Sequence, residues 1–195
     1  MLRRALSVVG AVALALSLFT PVASAAEIDG RQYTQHAPDE RDLPAWVQRD
    51  DRLRLCMSGH VQNLGWQNWS CSDETRWAEA GTEGRGLRLE AVRLYVRGTR
   101  GWYHAAGHVE NIGDQNLQST GNYETLTVGT TGQGLGLEQM LFAHDVKRTC
   151  GQGHVRDIGW QDWECVPPRS GKQVGTRGQA RPLEKVKYQI LSVEE

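Results

Sequence analysis

Two short segments of this chain carry tryptophan and amide side chains in an order that suits a hydroxyl-rich ligand. They read GWQNW and GWQDW, and they begin at Gly65 and Gly159. An indole can stack on a sugar ring or pack on a protein, and neighbouring amides and carboxylates can hydrogen-bond to hydroxyl groups. The candidate ligand-binding residues are therefore Trp66, Gln67, Asn68, Trp160, Gln161 and Asp162.

Comparison with a third related segment, GDQNL, indicates which positions of the unit are exposed and which are buried. It holds Asp114 where the other two hold the first tryptophan. Burying an unpaired carboxylate is costly, so this position is expected to be exposed in all copies. An alternative is that each indole lies flat along the polar residues of its own strand. The second aromatic position stays apolar and is expected in the core, as Trp69, Leu117 and Trp163.

Histidine and glutamate recur at identical positions and could in principle form a catalytic pair. A catalyst rarely needs three copies of its residues, so we expect a structural role for this set. The chain also lacks a nucleophile elbow, a zinc-protease motif and a phosphate loop in a strand–helix context. We therefore predict a non-enzymatic protein with no cofactor and no metal. The structural repeat positions are His60, His108, His154, Glu90, Glu138 and Glu184.

These positions belong to a unit that occurs three times. A Gly-His-Val begins each copy at Gly59, Gly107 and Gly153, and a Gly-Thr-x-Gly follows 22 residues later in every case. The copies start 48 and 46 residues apart. Self-similarity at such a period indicates one supersecondary unit used repeatedly. The repeats are predicted at about residues 52–99, 100–146 and 147–193.

The four cysteines bracket two of the three copies. Cys56 and Cys71 are 15 residues apart, and so are Cys150 and Cys165. The middle copy holds His104 and Ser119 at the same positions, so both partners are missing together. This joint absence predicts two disulfides, Cys56–Cys71 and Cys150–Cys165, each within one repeat. An exported protein is expected to be in an oxidising environment, where disulfides form.

The pattern of apolar residues predicts an all-β fold. Leu87, Leu89, Val92, Leu94 and Val96 alternate, but with a slip between Leu89 and Val92 that recurs in every copy. Such a slip indicates a bulge or sharp bend. No segment of the repeats shows a helical apolar stripe. Three units of this length favour a pseudo-threefold β-trefoil-like body, and a threefold β-prism is the alternative.

The first 50 residues are expected to lie outside this body. Residues 1–25 have two arginines, an apolar run and Ala23-Ser24-Ala25, which is typical of a cleaved signal peptide. Residues 26–50 contain prolines and charges without a period, and are interpreted as a flexible arm. Trp46 is expected to dock this arm on the body, or else to serve an exposed binding site. Residues 51–195 form a single three-repeat domain.

Charge and hydropathy limit the partners. The formal net charge is −1, which offers no basic footprint for nucleic acid. No second apolar run is long enough to span a membrane after signal cleavage. We expect a monomer that is secreted and either extracellular or associated with a cell wall. Its expected partner is a cell-wall or extracellular polysaccharide, and the alternative is an extracellular protein that contacts loops 72–77 and 166–172.

The paired half-motifs resemble a known family. GHVQNLGWQNW with GTEGRGLRLEAV, and GHVRDIGWQDW with GTRGQARPLEKV, are similar to the ChW repeat, the clostridial hydrophobic repeat with a conserved tryptophan. The resemblance covers about residues 52–193 and aligns the signature tryptophan with Trp66 and Trp160. Asp114, Ala180 and Pro182 depart from the pattern. The resemblance implies an extracellular module for glycan or protein attachment at a cell surface, without a catalytic site.

Overall fold

The computed structural model describes residues 26–28, 30–73 and 75–192, so the signal-peptide prediction for residues 1–25 lies outside the described residues. The arm contains β1 (Ala26–Ile28), β2 (Arg31–Thr34), a 3-10 turn (Glu40–Asp42) and α1 (Ala45–Gln48). The first repeat contains β3 (Arg54–Val61), β4 (Gly65–Gln67), β5 (Ser70–Cys71), β6 (Ala78–Gly81) and β7 (Leu89–Arg97). The second contains β8 (Trp102–Val109), β9 (Gly113–Asp114), β10 (Gln118–Gly121), β11 (Thr125–Gly129) and β12 (Leu137–His144). The third contains β13 (Arg148–Val155), β14 (Gly159–Trp160), β15 (Glu164–Val166), β16 (Lys172–Gly175) and β17 (Leu183–Leu191). The predicted all-β class is confirmed.

The strands form three sheets, each built on the long hairpin of one repeat. The first sheet has the order β1-β2-β4-β3-β7-β11, with β5 on β3. The second has β10-β8-β12-β16, with β9 on β8, and the third has β14-β13-β17-β6, with β15 on β13. The short strand β6 therefore pairs with the third repeat, β11 with the first and β16 with the second. This cyclic exchange ties every repeat to a neighbour.

A bulge in each long hairpin explains the slip in the apolar pattern. His60 faces Ala91 while Val61 faces Leu89, so Glu90 is the extra residue. The same register shift leaves Glu138 and Glu184 unpaired in the other two hairpins. The prediction of a repeated bulge is confirmed. The bulge lets the apolar residues on both sides of it point into one core, despite their odd spacing.

Glutamine side chains fasten the exchanged strands. Gln67 Oε1 accepts a hydrogen bond from the amide of Gly81 at 2.7 Å, and its Nε2 donates to the Gly81 carbonyl at 3.1 Å. The pairs Gln115–Gly129 and Gln161–Gly175 repeat both bonds. Gly81 has φ +98°, and a Cβ there would lie 2.1 Å from the carbonyl oxygen of Glu184. Only glycine fits such a close approach between backbones.

The arm is ordered against the first sheet, although the sequence predicted no regular element in it. Strand β2 pairs with β4, and Asn68 donates its amide proton to the carbonyl of Gln32. Behind this strand the arm completes a small apolar cluster on the outer face of the sheet. The strands and helix of the arm are too short to show a periodic apolar pattern, so they could not be predicted from the sequence. The cluster consists of Leu43, Val47, Cys56, Trp69, Cys71 and Tyr95.

Both predicted disulfides are present. Cys56–Cys71 links β3 to β5, and Cys150–Cys165 links β13 to β15. The described part of the chain contains no helix with the length and apolar character needed to cross a membrane.

Candidate ligand-binding face

Three indoles and an ammonium group meet on the outer face of the third sheet. We call Trp77, Trp160, Trp163 and Lys187 the aromatic face. The ring centroids of Trp77 and Trp163 lie 5.7 Å apart. Lys187 Nζ lies 4.2 Å from the ring centroid of Trp160 and 4.9 Å from that of Trp77. The four side chains thus form one continuous surface.

Strand alternation and strand exchange place these residues together. Lys187 points outward from β17 because its neighbours Val186 and Tyr188 point into the core. Trp160 lies on β14 opposite His154, and the two rings meet edge to face at 5.2 Å. Trp77 belongs to the first repeat. It reaches the third sheet because it directly precedes β6, the exchanged strand.

The aromatic face is accessible to a ligand. Trp77 is 43% exposed and Trp163 is 37% exposed, whereas Trp160 is partly buried. Trp160 Nε1 donates a hydrogen bond to Glu83 Oε1 at 2.9 Å, which fixes the orientation of its ring. Among the described residues no carboxylate lies within ion-pair distance of Lys187, and its ammonium group lies over the rings of Trp160 and Trp77.

Charged groups border this surface on the β6 side. Glu79 forms ion pairs with Lys185, at 3.1 Å, and with Arg31 of the arm. Burial alone would raise the pKa of Glu79, but the two cations outweigh it and hold the pKa below its usual value. Glu79 is therefore ionised and already paired, and it leaves Lys187 as the free cation of this face in the described chain.

A groove continues from the aromatic face towards the arm. It has a volume of about 560 Å³, and Trp46, Trp69, Trp77 and Glu79 are among its lining residues. Trp46 is 38% exposed, with the guanidinium of Arg54 5.4 Å from its ring centroid. Trp46 thus contacts the first repeat through Arg54, and it also lines the groove.

Two segments of the chain match a family model. These are residues 60–98 and 154–188, and the model is described as Clostridial hydrophobic W. The ChW resemblance is supported at these segments, which contain Trp66 and Trp160. Residues of the middle repeat, where Asp114 and Leu117 replace the two tryptophans, lie outside the match. No curated protein and no solved structure matches the chain.

The two ChW segments treat their signature tryptophans differently. Trp66 is only 5% exposed, because β2 pairs along β4 and the arm closes over it. The expectation that Trp66 is exposed is therefore wrong. Asp114 at the equivalent position did not indicate the burial of Trp66, because the arm covers Trp66 and not the middle copy. The same position at Trp160 is partly open.

The second aromatic position also differs between the segments. Trp69 is 5% exposed, and its Nε1 donates to the carbonyl of Asp39 in the arm. Leu117 and Trp163 are 59% and 37% exposed, so the expectation that this position lies in the core is wrong for two copies. The position lies on the outer face of every sheet, and in the described part of the chain an arm covers it on the first sheet alone.

The polar candidate residues separate into two groups. The side-chain amides of Gln67 and Gln161 hydrogen-bond to the backbone of Gly81 and Gly175 on the exchanged strands. This role accounts for the recurrence of glutamine in all copies. Asn68 and Asp162 are exposed, and Asp162 lies directly before Trp163. Asp162 is next to a residue of the aromatic face in the chain, whereas the amide of Asn68 donates to the Gln32 carbonyl of the arm.

The recurrent histidines and glutamates meet at the bulges. His60 Nδ1 lies 3.0 Å from Glu90 Oε2, and His154 Nδ1 lies 3.3 Å from Glu184 Oε2. His108 lies 3.5 Å from Glu138 and also contacts Asp114. Glu138 accepts the amide of Gly178 in the following loop. These contacts agree with a structural role. In the described residues, no three His, Cys, Asp or Glu side chains cluster as metal ligands would.

Reasoning from the sequence did not select Lys187, and it included Trp77 only as the last residue of loop 72–77, in the alternative of a protein partner. Trp77 has no aromatic counterpart in the other copies, where Thr125 and Gly171 occupy its place. Comparison between copies therefore gave no reason to select it. Its role depends on strand exchange, and the sequence carries no signal for which repeat the strand joins.

Proposed function

We propose that this protein is a secreted, non-catalytic binding module for glycans of a cell wall or extracellular matrix. The observation that carries the proposal is the aromatic face, where exposed Trp77 and Trp163 lie side by side with Trp160 and Lys187. Flat indoles offer stacking surfaces for sugar rings, and Lys187 and Asp162 offer polar partners for hydroxyl groups. Trp66, under the arm, has no part in this proposal.

We further propose that the three sheets are the sides of a threefold β-prism. Three separate open sheets joined by exchanged strands support this arrangement over a trefoil. The middle repeat, with its own hairpin β8–β12 and exchanged strand β16, then counts as a diverged third copy of the ChW unit. Two disulfides and the leader-like first 25 residues support secretion.

The test is a titration followed by intrinsic tryptophan fluorescence. Soluble peptidoglycan fragments and polysaccharide fractions are added separately to the full chain, and circular dichroism verifies that the protein is folded. A saturable quench or shift with at least one fraction is the expected result. A folded protein whose emission does not respond to any fraction would remove the glycan proposal.

A protein partner is the second candidate function, and the arm gives a specific reason to consider it. The first repeat already binds a polypeptide strand on the edge of β4. Parallel pull-downs from culture fluid and sedimentation with cell walls separate the two candidates. Capture of a soluble protein, without sedimentation on walls, would favour the second.

A further inference from the structure

We propose that the free edge of β14 in the third repeat is a docking site for an extended peptide segment of a partner polypeptide. The segment would bind through main-chain hydrogen bonds, in the way that β2 binds β4. This site is the main-chain edge of the strand that carries Trp160, so it adjoins the aromatic face at that residue. The inference goes beyond the proposed glycan binding and does not depend on it.

The first repeat shows what the edge accepts. Strand β4 pairs with β3 on one side and with β2 on the other, where Tyr33 faces Gln67 and Thr34 faces Trp66. Strand β14 has nearly the same sequence, and of the described strands it pairs only with β13. The amide equivalent to that of Asn68 belongs to Asp162, which donates to no backbone acceptor in the described residues.

The glycine before each tryptophan provides room for an added strand. Gly65 has φ +89°, and a Cβ placed there would lie 2.6 Å from the carbonyl oxygen of Thr34 in the arm. Gly159 has the same φ of +89°, but nothing lies within 4 Å of its Cβ position. The third repeat therefore keeps the backbone shape that admits β2, and the space beside it is open.

Among the described residues, Gln161 lacks a side-chain contact that its equivalent Gln67 makes with the arm. Gln67 is 1% exposed because Tyr33 covers it, and its Nε2 donates to the Tyr33 hydroxyl at 3.1 Å. Gln161 makes the same two bonds to its glycine but stays partly open. A peptide with tyrosine at the matching place would give Gln161 the contact that Gln67 has.

The middle repeat shows how such an edge is blocked. Asp114 on β9 forms an ion pair with Arg177, and its Oδ1 lies 2.7 Å from His108 Nδ1. Charged side chains on an edge strand discourage further pairing. The third repeat has Trp160 in place of that charge. In the described chain the space beside β14 is therefore unoccupied, and β14 lacks the ion pair that hinders strand pairing at β9.

The probe is the chain's own strand, presented a second time. Residues 26–37 are appended after Glu195 through a flexible Gly/Ser linker of about 30 residues, which reaches about 30 Å and gives an effective concentration near the millimolar range. Amide exchange is followed by NMR without any glycan present. We expect the Asp162 amide to exchange about tenfold more slowly than in the parent chain, while Asn68 stays protected in both.

Two controls keep this result interpretable. A fusion with the appended residues scrambled, and one with prolines at the positions of Tyr33 and Thr34, should leave Asp162 as fast as in the parent, because proline cannot donate. The amide of Asn116, beside β9, should not change. If the native fusion leaves Asp162 exchange unchanged, or if the scrambled fusion slows it equally, the proposal is overturned.

Discussion

Trp77 and Trp163 come from different repeats, yet their ring centroids lie 5.7 Å apart at an interplanar angle of 48°. The pair exists because β6 leaves its own repeat and joins β17. The aromatic face is therefore assembled by strand exchange. A change that weakens the exchange should disturb the fold and the face together, whereas a change of an exposed indole should disturb only the face.

The glutamine that fastens each exchanged strand provides the first prediction. Gln67→Leu leaves the amide and carbonyl of Gly81 without their side-chain partners in a buried place. Unpaired buried polar groups cost about 1–3 kcal/mol each, so for these two groups we expect a loss of about 2–6 kcal/mol in the free energy of unfolding. Urea denaturation measures it. Gln152→Leu is the control, with an expected change below about 0.5 kcal/mol, and equal losses in both variants would contradict the assigned role.

The two disulfides should differ in their sensitivity to reductant. Cys56 and Cys71 are buried beneath the arm, at 0% and 8% exposure, whereas Cys165 is exposed. Thiol–disulfide exchange requires access to a sulfur atom. Under mild reduction of the folded protein, we expect alkylation to appear first at Cys150 and Cys165, as mass spectrometry of peptides would show. Simultaneous labelling of all four cysteines would argue against the docked arm.

His144 should make stability depend on pH. Burial lowers its pKa from 6.5 to about 4. Between pH 6.5 and pH 4 His144 is protonated in the unfolded chain but stays neutral in the folded protein, so the free energy of unfolding falls as the pH is lowered through this range. We expect a loss of about 1–3 kcal/mol between pH 7 and pH 4.5.

The matched variant for this prediction is His144→Asn. It removes the titrating group but keeps an acceptor for the amide of Val146, which donates to His144 Nδ1 at 3.1 Å. Denaturant melts at several pH values should give a flatter profile for this variant down to about pH 5. A profile identical to that of the parent would show that other groups control the dependence.

Repetition made much of the fold predictable. Comparison of three copies predicted the bulge near Glu90 and the all-β class, because these features leave a mark at the same place in every copy. It also predicted both disulfides, because the two cysteines occur together in two copies and are missing together from the third. The recurrence of Gln67, Gln115 and Gln161 was also visible, but its cause was not. The glycines that they hold are 14 residues further along the chain, in a strand that joins the sheet of a different repeat.

The candidate site was less predictable because its exposure depends on contacts outside the repeat. Trp66 and Trp160 look equivalent in sequence, and only the arm makes one buried and the other partly open. The strands and helix of the arm are too short to show periodicity, so residues 26–50 did not indicate that the arm docks on the first sheet. Trp77 could not be found by comparing copies, since its neighbours arrive from another repeat.

The most direct test of the binding face compares indole variants in the glycan titration. Trp77→Ala and Trp163→Ala remove exposed rings from the face, whereas Trp102→Ala removes a ring that is 55% exposed on the second sheet. We expect each of the first two to weaken binding about tenfold, equivalent to about 1.4 kcal/mol, with unchanged unfolding midpoints. Trp102→Ala should bind like the parent. If the Trp77 and Trp163 variants bind like the parent, or if Trp102→Ala loses as much affinity as they do, the aromatic face is not the site of glycan binding.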